Sequence, residues 1–137
     1  MKPFVEIVAS LPVRQFAPEE FLIRQQSPAG HVFILAEGTV RIIRDDIEIC
    51  QIHEVGSFFG EVSSLTNQPT TASVQAVTPV KAHVIENPMQ FAFDYPVAVY
   101  MMAVQLAQRL AHVDTQLTQI KRDYQEMYRR LSEISMV

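Results

Sequence analysis

The sequence predicts a mainly β domain with flanking helices, followed by one long C-terminal helix. Between Val13 and Ile85, short apolar runs rich in Val, Ile and Phe alternate with turn signals, the texture of a compact β domain. That texture ends at Pro88. Beyond Pro96, apolar residues recur at alternating spacings of four and three with no Gly or Pro among them, the mark of a helix built to pair. By sequence the chain divides into a β domain over residues 1–96 and a coiled-coil-like helix over 97–137.

The elements follow in order. Phe4 to Leu11 predicts a short apolar helix stopped at Pro12, since proline cannot continue the helical ladder. The predicted strands are Phe21-Leu22-Ile23, Val32-Phe33-Ile34-Leu35, Val40-Arg41-Ile42-Ile43, Ile47 to Ile52, Ser73 to Val77 and Val80 to Ile85. Ser27-Pro28-Ala29-Gly30, Glu37-Gly38, Asp45-Asp46 and Glu54-Val55-Gly56-Ser57 punctuate them. Several short strands at this spacing suggest a closed barrel or a jelly roll. Gly38 sits at a tight strand connection that calls for positive φ. Asp45-Asp46 predicts a hairpin turn, although it lacks the glycine such turns favour. Glu86-Asn87-Pro88 reads as a linker, and Met89 to Tyr95 as a short helix before Pro96.

In the long helix the apolar positions are Val99, Ala103, Leu106, Leu110, Val113, Leu117, Ile120, Tyr124, Met127, Leu131 and Ile134. Such a helix runs ~55–60 Å at 1.5 Å per residue, too long for a domain of ~90 residues to cover. The pattern predicts a homodimer through Val99, Leu106, Leu110, Val113, Leu117 and Ile120. Arg109 and Asp114 fall on g and the following e positions, where they could bridge two parallel chains for a few tenths of a kcal/mol.

Composition bounds the function. The chain has 137 residues, 48% apolar and 19% charged, enough for a single core plus an extension. Its net charge of -4 argues against DNA binding, which demands a basic surface. Cys50 is the only cysteine, so no intrachain disulfide, iron–sulfur cluster or all-thiolate zinc site is expected, which fits a reducing cytoplasm. No apolar run approaches the ~20 residues of a membrane span, and Met1-Lys2-Pro3-Phe4 does not open a signal peptide. A cytoplasmic protein without a membrane partner is expected. His31, His53, His83 and His112 are scattered, without metal-ligand spacing. No nucleophile–base set, Walker glycine loop or carboxylate pair is present, so no enzyme, metal or cofactor is expected.

Two segments carry a family resemblance. Phe58-Phe59-Gly60-Glu61-Val62-Ser63-Ser64-Leu65, followed by Pro69-Thr70-Thr71-Ala72-Ser73-Val74, resembles the phosphate-binding cassette of cyclic-nucleotide-binding domains of the catabolite-activator (Crp-Fnr-like) family. Ala29 to Val40 resembles the strand–Gly–strand segment of the same family. Two positions depart from its pattern. Thr70 stands where the family places the arginine that grips the cyclic phosphate, and Gln26 stands where a glycine is frequent.

The resemblance implies a double-stranded β-helix, or jelly roll, followed by a dimerisation helix. It implies a ligand site at Gly60, Glu61, Val62, Ser63, Thr70, Thr71, Ala72 and Ser73. Glu61 would accept the ribose 2′-hydroxyl, and free N–H groups after Gly60 would face the phosphate. Ile42 and Cys50, with Gln51, would wall the base pocket, the bland alternative for the first two being plain core. Arg109, Val113 and Asp114 would meet the base from the long helix, Arg109 with a replacement positive charge; Arg41 and Arg44 are further candidates for that charge. In the catabolite-activator family the long helix leads into a winged helix-turn-helix; this sequence stops at Val137 before one, so no DNA partner is expected. The leading expectation is a regulatory sensor for cAMP or cGMP with a protein effector. The absent arginine keeps open a ligand-free dimerisation scaffold.

Overall fold

The computed structural model describes residues 4–135. Eight strands form two antiparallel sheets of four. β1 (Val13–Phe16), β8 (Val80–Ile85), β3 (Val32–Glu37) and β6 (Phe58–Phe59) make one, in the order β1-β8-β3-β6. β2 (Phe21–Ile23), β7 (Ser73–Ala76), β4 (Val40–Arg44) and β5 (Ile47–Ile52) make the other, in the order β2-β7-β4-β5. The chain passes repeatedly between the sheets, which gives the expected β-roll.

Alternation along the strands builds the core. Phe33, Leu35, Val40, Val74, Ala76, Val80, Ala82 and Val84 point between the sheets, joined by Phe16, Leu22 and Phe59. β3 is buried on both faces: Val32 and Ile34 turn outward into a second core with Ile7, Phe58, Ile85, Phe91, Ala98 and Met102. That is why Val32-Phe33-Ile34-Leu35 reads as a continuous apolar run rather than an alternating one. The second core is roofed by α1 (Phe4–Ala9), α3 (Pro88–Asp94) and the start of α4 (Pro96–Ser135).

Local chemistry explains the connections. Gly38 has φ 101, and a Cβ there would collide with the carbonyl oxygen of Pro79. Arg44 pairs with Ile47 across the β4–β5 hairpin. Asp45 and Asp46, with φ 52 and 65, make its two-residue turn with both central residues left-handed, the type I′ form. Asn87 caps α3 by accepting the Gln90 N–H at 3.1 Å, and Pro88 occupies the first turn, where its missing N–H costs nothing.

Three expectations on the elements change. α1 ends at Ala9 rather than Leu11, with Ser10 and Leu11 in a turn closed by Leu11 N–H to Val8 C=O at 3.0 Å. β1 was not anticipated because only Phe16 of its four residues is buried, so it shows no period. β6 was missed because it is two residues long. The chain divides into two compact units, one ending at Met102 and one beginning at Ala103, so the β unit retains the first two turns of α4.

Candidate functional site

The cassette is built at a β-to-helix junction. β6 ends at Phe59, whose side chain is locked in the core. Gly60 then turns with φ 88, and a Cβ there would lie 2.7 Å from the carbonyl oxygen of His31. Both the positive φ and the close passage of the β2–β3 connection exclude other residues. The helix α2 (Glu61–Thr66) starts immediately, so its first N–H groups have no carbonyl within the helix to bond.

Glu61, the first residue of α2, is only 3% exposed. A solvated turn carboxylate would not be, and a carboxylate this buried must be held by polar partners. Val62 and Leu65 are exposed, and Ser63 is buried with its hydroxyl donating to Gln68 C=O at 2.7 Å. Asn67 ends the helix in the left-handed conformation, φ 52, which asparagine tolerates well. Thr66 closes its own turn on Val62 C=O at 2.7 Å.

Thr70 is the position that departs from the resemblance, and its geometry is specific. The side chain is 7% exposed. Its hydroxyl donates to Arg24 C=O at 2.5 Å and accepts Ser27 N–H at 2.9 Å. Its backbone accepts Gln26 N–H and donates to Ser27 C=O, both at 2.8 Å. Ser73 Oγ accepts Gln25 N–H at 2.8 Å. Thr70 and Ser73 therefore fasten the turn between β2 and β3, and the one hydroxyl proton of Thr70 is already donated. Thr71 is exposed and Ala72 half-buried beside them.

The same turn reaches a third segment. Gln25 Nε2 donates to Asp45 Oδ1 at 2.8 Å, and Asp45 N–H donates to Gln25 Oε1 at 2.9 Å. The tip of the β4–β5 hairpin, the β2–β3 turn and the end of the cassette thus form one polar junction. Gln26 takes φ 63 within it, which explains why a glycine is frequent at this position. Nothing local in the sequence marks the junction: its partners lie 20 to 48 residues apart.

The remaining candidates separate. Ile42 packs against the inter-sheet core. Cys50 is paired opposite it but is exposed, so it is not core. Arg41 points to the outer face, its guanidinium 3.6 Å from Glu48 and 3.9 Å from Glu19, and Arg44 is exposed. Neither strand arginine supplies charge to the interior. Arg24 lies with its guanidinium carbon 4.2 Å from the centre of the Phe21 ring, a cation–π contact. Arg109, Val113 and Asp114 belong to the second unit; Arg109 is half-buried, and Val113 and Asp114 are exposed on α4.

Behind α2, a narrow apolar void of about 20 Å³ is bordered by Leu65, Val32, Ile85, Phe91, Val99 and Met102. The cassette helix, α3 and the first turns of α4 all border it. An open cleft of about 510 Å³ lies elsewhere, between Phe16, Pro18, Val80 and the Lys81–Glu37 ion pair at 3.6 Å, and none of the cassette residues lines it. Among the described residues, no group of three or more His, Cys, Asp or Glu side chains could hold a metal ion. No helix among them is long and apolar enough to cross a membrane.

Comparison with known proteins agrees with this geometry. The chain is similar to human cGMP-dependent protein kinase 2, 33% identical over 73 residues that cover 53% of this chain and 9% of the kinase. It is similar to the cAMP-dependent protein kinase regulatory subunit of Emericella nidulans, 29% identical over 84 residues, covering 59% of this chain and 20% of that one. Among solved structures, the Thermus thermophilus catabolite activator protein superposes with a TM-score of 0.72 at 21% identity, covering 85% of this chain and 58% of the other. The c-di-GMP-responsive regulator CLP of Xanthomonas campestris gives 0.66 at 23% identity, covering 77% and 57%. The chain spans at most a fifth of these two kinase-system relatives and under three-fifths of these two regulators; at such identities the structural likeness shows the fold alone. The family described as "Cyclic nucleotide-binding domain" matches residues 13–89, more than half of the sequence, with Gly60, Glu61 and the junction around Thr70 inside the match: the chain belongs to the cyclic nucleotide-binding domain family.

Proposed function

We propose that this chain is a non-enzymatic regulatory sensor that binds cAMP or cGMP in the β-roll and signals through pairing of α4. The observation that carries the reading is Glu61, buried at the start of α2 directly after the left-handed Gly60. In this reading the N–H groups that open α2 meet the cyclic phosphate and Glu61 accepts the ribose 2′-hydroxyl. Leu65 borders the same small void as Phe91, Val99 and Met102, and this nearness of α2 to α3 and the start of α4 supports a path from cassette to helix. The exposed apolar stripe of α4, including Leu110, Val113, Leu117 and Ile120, supports a homodimer with an output to a protein effector. A reducing cytoplasm is the compartment this reading implies.

Losing a charge-assisted phosphate contact costs about 1.5–3 kcal/mol, or roughly ten- to a hundredfold in affinity. Binding weaker than that of arginine-containing relatives is expected. Calorimetric titration with cAMP, cGMP and cyclic di-GMP tests it. Micromolar binding of cAMP or cGMP, abolished by Glu61→Ala, is the expected result; no heat from any of the three would sink the sensor reading.

The engaged hydroxyl of Thr70 favours a second reading, a ligand-free scaffold that keeps the fold for dimerisation and protein binding. Thr70→Arg separates the two. Tight nucleotide binding gained by that variant would show an otherwise intact pocket. No gain, with the fold retained, would favour the scaffold.

A further inference from the structure

Residues 24–27 are strapped to the end of the cassette. Arg24 C=O accepts the Thr70 hydroxyl, Gln25 N–H donates to Ser73 Oγ, Gln26 N–H donates to Thr70 C=O, and both backbone groups of Ser27 bond Thr70. The Gln25 side chain reaches the tip of the β4–β5 hairpin and uses both ends of its amide on one residue. Nε2 donates to Asp45 Oδ1 at 2.8 Å, and Oε1 accepts Asp45 N–H at 2.9 Å. A two-bond clasp fixes orientation as well as distance.

The clasped element is able to bend. The β4–β7 ladder ends with Ile43 opposite Ser73. The β4–β5 ladder is irregular at the same level: Ile42 faces Cys50 but Ile43 faces Glu48, which leaves Ile49 as an extra residue. Such a bulge kinks its strand and re-aims the side chains beside it. β5 lies at the edge of its sheet, with β4 as its neighbour. Beyond the bulge, the hairpin tip is therefore tied by Gln25 to the turn that Thr70 and Ser73 hold. Cys50 adjoins the bulge opposite Ile42, whose side chain packs on the core, so a swing of the tip re-aims this face of the hairpin.

We propose that Gln25 is a positioning residue of the ligand site: through Asp45 it sets the β4–β5 hairpin, the base side of the pocket, relative to the cassette that meets the phosphate. The proposal rests on the reading that a nucleotide binds the β-roll between these two walls. Thr70 then serves the site by anchoring the turn from which Gln25 reaches the hairpin.

A polarity swap tests it, read by calorimetric titration with cAMP and cGMP. Gln25→Glu sets a carboxylate against Asp45 Oδ1 and opens the clasp. Binding should weaken roughly tenfold, the loss expected when about a tenth of the molecules keep the hairpin set. Asp45→Asn alone retains an acceptor for Gln25 and should bind as the unmodified chain does. Gln25→Glu combined with Asp45→Asn turns the pair around, the new amide donating to the new carboxylate, and should restore binding to within about twofold. Hydrogen exchange of the ligand-free proteins is the second readout: Gln25→Glu should speed the Asp45 and β5 amides and leave those of β3 unchanged. Faster hairpin exchange with unchanged affinity would show a clasp that serves the fold alone, and overturns the proposal. Weakened binding that the double variant does not restore, or hairpin exchange that does not respond, overturns it as well. Silence of the unmodified chain toward both nucleotides overturns the sensor reading, and the positioning role falls with it.

Discussion

Removing the Thr70 hydroxyl tests whether this residue holds the junction together. Thr70→Val keeps the shape and volume of the side chain but deletes both of its side-chain bonds, leaving Arg24 C=O and Ser27 N–H without that partner. Each polar group left unsatisfied costs about 1–3 kcal/mol, and these two are only partly buried, so the low end applies to each and the sum is about 2 kcal/mol. Thr70→Ser keeps the hydroxyl and loses one buried methyl, about 0.8 kcal/mol. Urea unfolding measures both. With a slope of about 2 kcal/mol/M, the midpoint should fall by about 1 M for valine and about 0.4 M for serine. Protein concentration is matched across the series, because the proposed self-association through α4 would add a concentration-dependent term. A valine variant as stable as the serine variant would refute the reasoning, because it would mean that water satisfies the turn as well as the hydroxyl does.

Two further substitutions probe the backbone of the site. Gly60→Ala must hold φ near 88 with a Cβ 2.7 Å from His31 C=O, so it should cost about 2 kcal/mol or more and disturb the start of α2; thermal unfolding close to that of wild type would contradict the need for glycine. Asp46→Gly relieves a left-handed residue at φ 65 in the type I′ turn and should stabilise by about 0.5–1 kcal/mol, read as a rise in the urea midpoint, with a fall contradicting the turn assignment.

How much of this was legible depended on range. Gly38 announced its positive φ, Asp45-Asp46 its turn, and the heptads of α4 their helix, because each is a local signal. β1 was silent because three of its four residues face solvent. Glu61 could be matched to a cassette, but its burial is not a property that the sequence around it signals. Thr70 was harder still. As a sequence it is only a missing arginine; its engagement by residues 24–27 is a contact across 43 to 46 positions. Cys50 shows the opposite limit: a small apolar residue facing Ile42 in register looks like core, yet β5 lies at the edge of its sheet and leaves it exposed.

β3 gives the domain an internal clock. It is paired on both sides, by β8 and β6, and packed on both faces by Phe33 and Leu35 within the roll and Val32 and Ile34 beneath the helices. The amides of its buried centre, Phe33 and Ile34, are expected to exchange only when the β unit unfolds. The amides of α2, six residues long with exposed side chains at Val62 and Leu65, exchange through local opening instead. The ratio of the two rates in one sample separates a molecule that occupies the cassette from one that stabilises the fold at large: the first slows α2 more than the shared global term requires, and the second slows both together.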